Sequence, residues 1–216
     1  MIDKKALYTI SQGVYLLSTI DPATGRAVGR VVDAVSQVAS GEPKRVSVAC
    51  MKEGFTSKVL LESRHFALTT LAVDAPMALI EAFGYQSSET VDKFLGWELS
   101  TDAAGTPYVK DGAIALMCCD VFDVLDMGSH WLFLGDVVEA AMFSKAEPMT
   151  YGGYRAMKAA AKAAKAEDKP AAPAAAGKSK WQCMICGFEV EIDGDELPAD
   201  FSCPRCGVGR ELFQRV

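Results

Sequence analysis

The chain has 216 residues, half of them apolar, which is enough for one large core or two unequal ones. Its 22 Lys+Arg stand against 28 Asp+Glu, and a net charge of −6 argues against a general nucleic-acid binder. No apolar run reaches the length of a membrane-spanning helix and the first residues lack the basic and apolar regions of a signal peptide, so a cytoplasmic chain with no membrane partner is expected.

Taken in order, residues 3–11 read as a short helix. Val14–Ile20 is rich in apolar and β-prone residues and reads as a strand. Asp21-Pro-Ala-Thr-Gly25 has turn chemistry. One strand is predicted over 27–38 and another over 45–51. Thr56 and Ser57 are expected to cap a helix that runs to about Ser63. His65–Leu71 reads as a strand and 75–83 as a helix with Pro76 in its first turn. Polar residues 84–112 read as an excursion with one helical turn near 91–94. Two long strands over 114–125 and 131–143 follow, then a helix over 149–166. About six strands with short helices outside them predict a β-dominated barrel.

Charge divides the chain into three parts. Residues 1–154 carry 12 Lys+Arg and 19 Asp+Glu, a net of −7; 155–179 carry a net of +4, and 180–216 a net of −3. The middle part holds Lys158, Lys162 and Lys165 on one predicted helix face, read as a solvated face, and the low-complexity Pro170–Gly177, read as a mobile linker. A domain over 1–154, a helix and linker over 155–179 and a small domain over 180–216 are therefore expected.

The small domain carries the strongest motif. Cys183-Met-Ile-Cys186-Gly187 and Cys203-Pro-Arg-Cys206-Gly207 are two Cys-x-x-Cys-Gly knuckles with sixteen residues between them. Glycine after the second cysteine permits the turn that aims amides at sulfur. Four soft ligands around one point suit tetrahedral zinc or iron. Trp181, Phe188, Phe201 and Phe213, with Val190, Ile192 and Leu197, are expected to wrap the metal. The remaining cysteines, Cys50, Cys118 and Cys119, are an odd remainder that fits a reducing compartment. Cys118 and Cys119 are adjacent in a strand, point to opposite faces and are read as structural.

The run Leu197–Phe213 and the first knuckle resemble rubredoxins. That resemblance covers 180–216 and implies one iron held by Cys183, Cys186, Cys203 and Cys206. The segment between the knuckles is shorter than in free-standing rubredoxins, as in forms fused to other redox domains. A structural zinc ribbon is the alternative.

Residues 1–154 hold neither a Rossmann-type glycine fingerprint nor a Ser-His-Asp motif, and His65 and His130 are the two histidines. Chemistry there needs a borrowed cofactor. Four strings in order, Gly29–Val38, Ala82–Ser88 with Asp92-Lys93-Phe94, Ser129–Val137 and Pro148–Tyr154, resemble the flavin reductase family. The resemblance implies a mainly β, FMN-binding split barrel in a homodimer. Carried onto this chain, it lays Asp33, Ala34, Val35, Ser36 and Gln37 along the flavin ring, with Asp33 where many members have asparagine. Cys50, Met51 and Lys52 follow the ring towards the ribityl chain, though Cys50 also reads as a small core residue. Thr56 and Ser57 open a helix whose amides suit a phosphate, Ser87 and Lys93 complete the cradle, and His130 lies near the flavin face.

The two halves together are similar to the high-molecular-weight rubredoxins. That similarity implies an oxidoreductase taking electrons from NAD(P)H to FMN, then to the iron, then to a partner such as a flavodiiron protein. The rivals are a flavin or ferric reductase with a structural zinc knob, and a non-enzymatic module whose knuckles dock a partner.

Overall fold

The computed structural model describes residues 3–167, 178–184, 188–204 and 209–216. It divides into two compact units, 1–164 and 165–216.

The first unit opens with a 3-10 helix, Lys4–Thr9. Strands β1 (Tyr15–Ile20), β2 (Ala27–Val32), β3 (Val35–Ala39), β4 (Arg45–Met51) and β5 (His65–Leu71) follow, with helix α1 (Phe55–Ser63) between β4 and β5. Helix α2 (Met77–Tyr85) precedes a two-stranded ribbon of β6 (Leu99–Thr101) and β7 (Pro107–Val109). The long strands β8 (Ala113–Asp126) and β9 (His130–Met142) and helix α3 (Tyr151–Glu167) complete it. Seven strands form one antiparallel sheet in the order β2-β1-β5-β8-β9-β4-β3.

That order explains the barrel. β2 and β3 lie at opposite edges of the sheet, yet only Asp33 and Ala34 separate them in the chain. The sheet must therefore curl until its edges meet, and the seam is closed by covalent chain rather than by a strand pair. This corrects the single strand expected over 27–38. β2 pairs with β1 through Ala27–Val32, β3 pairs with β4 through Val35–Ala39, and the Val35 amide donates to the Asp33 carbonyl at 3.0 Å where the chain changes partner. Irregularities in the β8–β9 register at Cys118/Cys119 and Val121/Asp123 raise the local twist.

Burial follows from this closure. Inside the barrel pack Leu17, Val48, Leu60, Phe66, Leu68, Cys119 and Phe133. Outside it, Leu16, Leu71, Leu79, Ile80, Phe83, Phe94 and Met149 pack beneath α2 and α3. Leu16 and Leu17 are neighbours and both fully buried, so β1 is covered on both faces, and even its hydroxyl residues Ser18 and Thr19 are buried. The expected helical turn near 91–94 is a pair of turns, and the rest of 84–112 supplies the β6–β7 ribbon.

A histidine fastens that ribbon. His65 Nε2 meets Asp102 Oδ2 at 2.8 Å and Nδ1 meets Asp120 Oδ1 at 2.6 Å. Both ring nitrogens face carboxylates, so both act as donors and the ring is the imidazolium. Burial opposes that charge, but the bonds to Asp102 and Asp120 outweigh it and the His65 pKa rises above its usual 6.5. A raised histidine stabilises the fold fully below its unfolded pKa and loses that contribution as pH climbs through the folded one. The melting temperature of the parent relative to a His65→Gln variant is therefore expected to be highest near pH 6 and to shrink towards pH 9; a constant difference across that range would remove the imidazolium assignment.

In the second unit β10 (Lys178–Cys183) lies between β11 (Glu189–Asp193) and β12 (Phe213–Arg215), with a 3-10 turn at Arg210–Leu212. Its core is Cys183, Leu197, Cys203 and Phe213, with Trp181, Phe188, Val190, Ile192 and Phe201 packed around it.

Candidate flavin and metal sites

The first site gathers on Gly29 of β2. Three side chains donate to its carbonyl: Thr56 Oγ1 at 3.3 Å, Ser88 Oγ at 3.0 Å and Lys93 Nζ at 3.0 Å. Lys93 also donates to the Phe83 carbonyl at 2.9 Å. A carbonyl offers two lone pairs, so three donors on one oxygen are in surplus. Position 29 admits no side chain, because a Cβ there would lie 3.0 Å from the Leu17 carbonyl and from the rings of Phe83 and Phe94.

Arg30 follows on the same strand. Its Nη1 donates to Ser57 Oγ at 3.4 Å, and its Nε is buried without a partner. The guanidinium lies against Gly54, where a Cβ would approach Nη1 to 2.6 Å. Gly54 is the N-cap of α1, which corrects the expectation that Thr56 and Ser57 cap this helix. Thr56 and Ser57 sit within the first turn, buried, with hydroxyls aimed at β2. The α1 amides and its positive dipole end point into the same region. Burial, then the Arg30 charge, lowers the Lys93 amine to about 8. Among the described residues neither Arg30 nor Lys93 has a carboxylate partner. A donor-rich, cationic pocket without a carboxylate partner fits an anion such as a phosphate monoester.

The other candidate residues fall into two groups. Asp33 and Ala34 form the seam, the Ala34 carbonyl accepts from the Ala49 amide at 3.0 Å, and Val35, Ser36 and Gln37 run along edge strand β3. Ladder alternation from that bond turns the Ser36 amide towards β4 and the Gln37 amide away from it. His130 opens β9 opposite Met51, its Nδ1 2.8 Å from Ser129 Oγ. Burial and then the Arg30 charge lower its pKa, with Asp33 opposing. Lys52 lies over the Trp131 ring at 4.2 Å and pairs with Asp126. Ser87 is exposed, its hydroxyl accepting the Glu89 amide at 3.2 Å in a turn; the serine brought to Gly29 is Ser88. Arg30, Gly54 and Ser88 were not singled out from sequence. An arginine inside an apolar strand was the available signal for Arg30.

The barrel thiols are not poised for chemistry. Burial raises Cys50 to about 11, with Arg30 in opposition, and raises Cys119 to about 12; burial and then Asp102 push Cys118 up as well. All three are expected to resist alkylation at pH 8 in native protein and to react once it is denatured, as read by mass spectrometry. Labelling of any of them under native conditions would contradict that environment.

At the second site Cys183 and Cys203 are buried side by side in one cluster. The Cys183 amide donates to the Phe188 carbonyl at 2.7 Å and the Met184 amide to the Leu212 carbonyl at 2.7 Å. Phe201 and Phe213 meet edge to face at 5.2 Å over it. Cys186, Cys206, the Pro170–Gly177 linker and the Lys162 and Lys165 side chains lie outside the described residues. Thiol donors walled by aromatic rings suit a soft or borderline metal ion.

Comparison with known proteins bears on both units. A family model described as "Flavin reductase like domain" matches residues 7–159, and one described as "Rubrerythrin, rubredoxin-like domain" matches 181–214. A high molecular weight rubredoxin of Moorella thermoacetica is 30% identical over 236 aligned residues, covering all of both chains. A ferric-chelate reductase (NAD(P)H) of Archaeoglobus fulgidus is 34% identical over 157 residues, 73% of this chain and 91% of that one. Among solved structures, an NADH:FAD oxidoreductase of Streptomyces globisporus C-1027 superposes with a TM-score of 0.62 at 21% identity, covering 71% of this chain and 92% of that one. Flavoredoxin of Methanosarcina acetivorans gives a TM-score of 0.58 at 21% identity over 67% of this chain and 75% of that one.

Proposed function

Because the chain belongs to the flavin reductase-like family and carries a rubredoxin-like domain, as the high molecular weight rubredoxins do, we propose that it is an NAD(P)H-dependent oxidoreductase. It uses FMN in the barrel and iron in the small domain, and it passes electrons to a partner such as a flavodiiron protein. When bound, FMN accepts a hydride and releases its electrons singly, while a four-thiolate iron carries one. The observation that carries this reading is that one chain holds a cationic cradle lacking a paired carboxylate and a buried cysteine core.

The chain's residues divide the work. Lys93, Thr56, Ser57 and the α1 amides hold the phosphate end, with Ser88 fixing Gly29 beneath them. Asp33, Ala34, Val35, Ser36 and Gln37 offer backbone groups along the seam to the flavin ring. Cys50, Met51 and Lys52 line the way between, Cys50 from the core side, and His130 stands at the ring's edge with its charge suppressed. Cys183, Cys186, Cys203 and Cys206 hold the iron, and the aromatic residues around the described pair exclude water from the sulfurs. Exposed apolar residues on the β8–β9 ribbon, Phe122, Leu125, Met127 and Val138, support a homodimer. A cytoplasmic setting accords with the seven cysteines, and among the described residues no helix is long and apolar enough to cross a membrane.

The test is metal and flavin content of purified protein, with spectra before and after NADH or NADPH. One iron and one FMN per chain, both bleached by the nicotinamide, are expected. Stoichiometric zinc in protein grown with ample iron would sink the redox role of the small domain, and absence of flavin would leave a docking module.

A further inference from the structure

The described residues leave three buried polar side-chain atoms without a partner: Ser18 Oγ, Thr69 Oγ1 and Arg30 Nε. Only the last belongs to a charged group. An arginine with a buried, unmade hydrogen bond carries a desolvation cost that a native chain tolerates where a ligand completes it. The surroundings say which ligand. Nη1 already reaches Ser57 Oγ, in the first turn of α1. The guanidinium lies against Gly54 at the helix start. Lys93 feels the Arg30 charge as repulsion and stays nearby because both its carbonyl partners hold it. Two cations that share donors around Gly29 and α1, with no carboxylate paired to either among the described residues, match an anion of more than one charge. Asp33 is near enough to His130 to offset part of the Arg30 field there, yet no ion pair joins it to Arg30.

We infer that Arg30 is the phosphate-selecting residue of the flavin site: its guanidinium, with Lys93, supplies the second positive charge that distinguishes a dianionic flavin monophosphate from the uncharged riboflavin. This rests on the proposal that flavin binds the barrel. Arg30 is a specificity residue and touches none of the reacting atoms. Lys93 and the α1 amides alone would hold a single negative charge, and the arginine adds both the second charge and a planar pair of donors matched to two phosphate oxygens.

The experiment is titration of flavin-free full-length protein with FMN and, separately, with riboflavin, followed by quenching of flavin fluorescence. Parent, Arg30→Gln and Arg30→Lys are compared, with circular dichroism confirming that each is folded. R30Q is expected to weaken FMN binding about ten-fold or more, the weight of a lost charge-assisted contact, and to leave riboflavin within about two-fold. Its FMN affinity should also depend less steeply on ionic strength than the parent's. R30K, which keeps the charge, should recover part of the preference for FMN. Equal weakening of both flavins, an unchanged FMN affinity, or an R30K no better than R30Q would overturn the assignment and reduce Arg30 to packing. A parent that binds neither flavin would instead overturn the flavin reading on which the assignment stands.

Discussion

A Cys203→Ser variant is expected to lose the iron and with it electron delivery to an external acceptor, while NADH-dependent flavin reduction stays close to the parent rate. Cys203 is buried against Cys183, Leu197 and Phe213. Replacing a soft thiolate by a hydroxyl removes one of the four donors proposed for the metal. Alteration of groups that merely orient metal ligands costs roughly 10–100-fold in affinity, so loss of a ligand should cost at least about that. The new hydroxyl is also left in an apolar cluster, at about 1–3 kcal/mol if unpaired, which further loosens a small domain with little core to spare. The first unit is compact on its own, and the substitution lies in the second. Iron content, the visible bands of ferric thiolate and stopped-flow bleaching of flavin report the two halves separately. A variant without iron that still reduced the acceptor at the parent rate would make the flavin the direct donor.

What could be read from sequence was what is local. β1 is legible because both its faces are buried, so Tyr15–Ile20 holds no charged residue and is apolar or β-prone at every position but Ser18. The cysteine knuckles were legible because their signal is a fixed local spacing. What was not local was missed. Residues 27–38 look like one strand, and only the order of the whole sheet shows that β2 and β3 take partners at its opposite edges. Hydroxyl residues favour caps and so point to Thr56 and Ser57, whereas the fold gives the cap to Gly54, against which Arg30 of another element lies. Arg30 was hidden by the same non-locality: its hydroxyl partner, Ser57, lies 27 residues on. Ser87 and Ser88 differ by one position, and the turn they share, not their identity, decides which of them meets Gly29. Lys93 was legible only through the family resemblance; its burial was not, because two backbone carbonyls and the Phe83 ring distant in sequence receive it.

Affinity for FMN is expected to fall as pH rises above about 8, and Lys93→Met is expected to abolish that dependence. Burial, followed by the Arg30 charge, depresses the Lys93 amine from 10.5 to about 8. The sign follows from which form the ligand prefers. A phosphate dianion favours the ammonium, so its binding raises the Lys93 pKa again. Below about pH 8 the lysine is already charged and binding needs no proton. Between that value and the higher one in the complex, each binding event takes up a proton, and affinity drops towards a limit of about ten-fold per pH unit. Lys93→Met removes the titrating group and a charge-assisted contact of about 2 kcal/mol, so FMN should bind about 30-fold more weakly below pH 8 and nearly without pH dependence across 7–10. The Gly29 carbonyl keeps Thr56 and Ser88 as donors, so the strand it belongs to stays satisfied and only the Phe83 carbonyl loses its lysine. Riboflavin titrations at the same pH values supply the control: lacking the phosphate, they should show little of this dependence in either protein. If FMN affinity in the parent were flat from pH 7 to 10, Lys93 would not face the phosphate, and the buried amine would have to be read as a brace between β2 and α2.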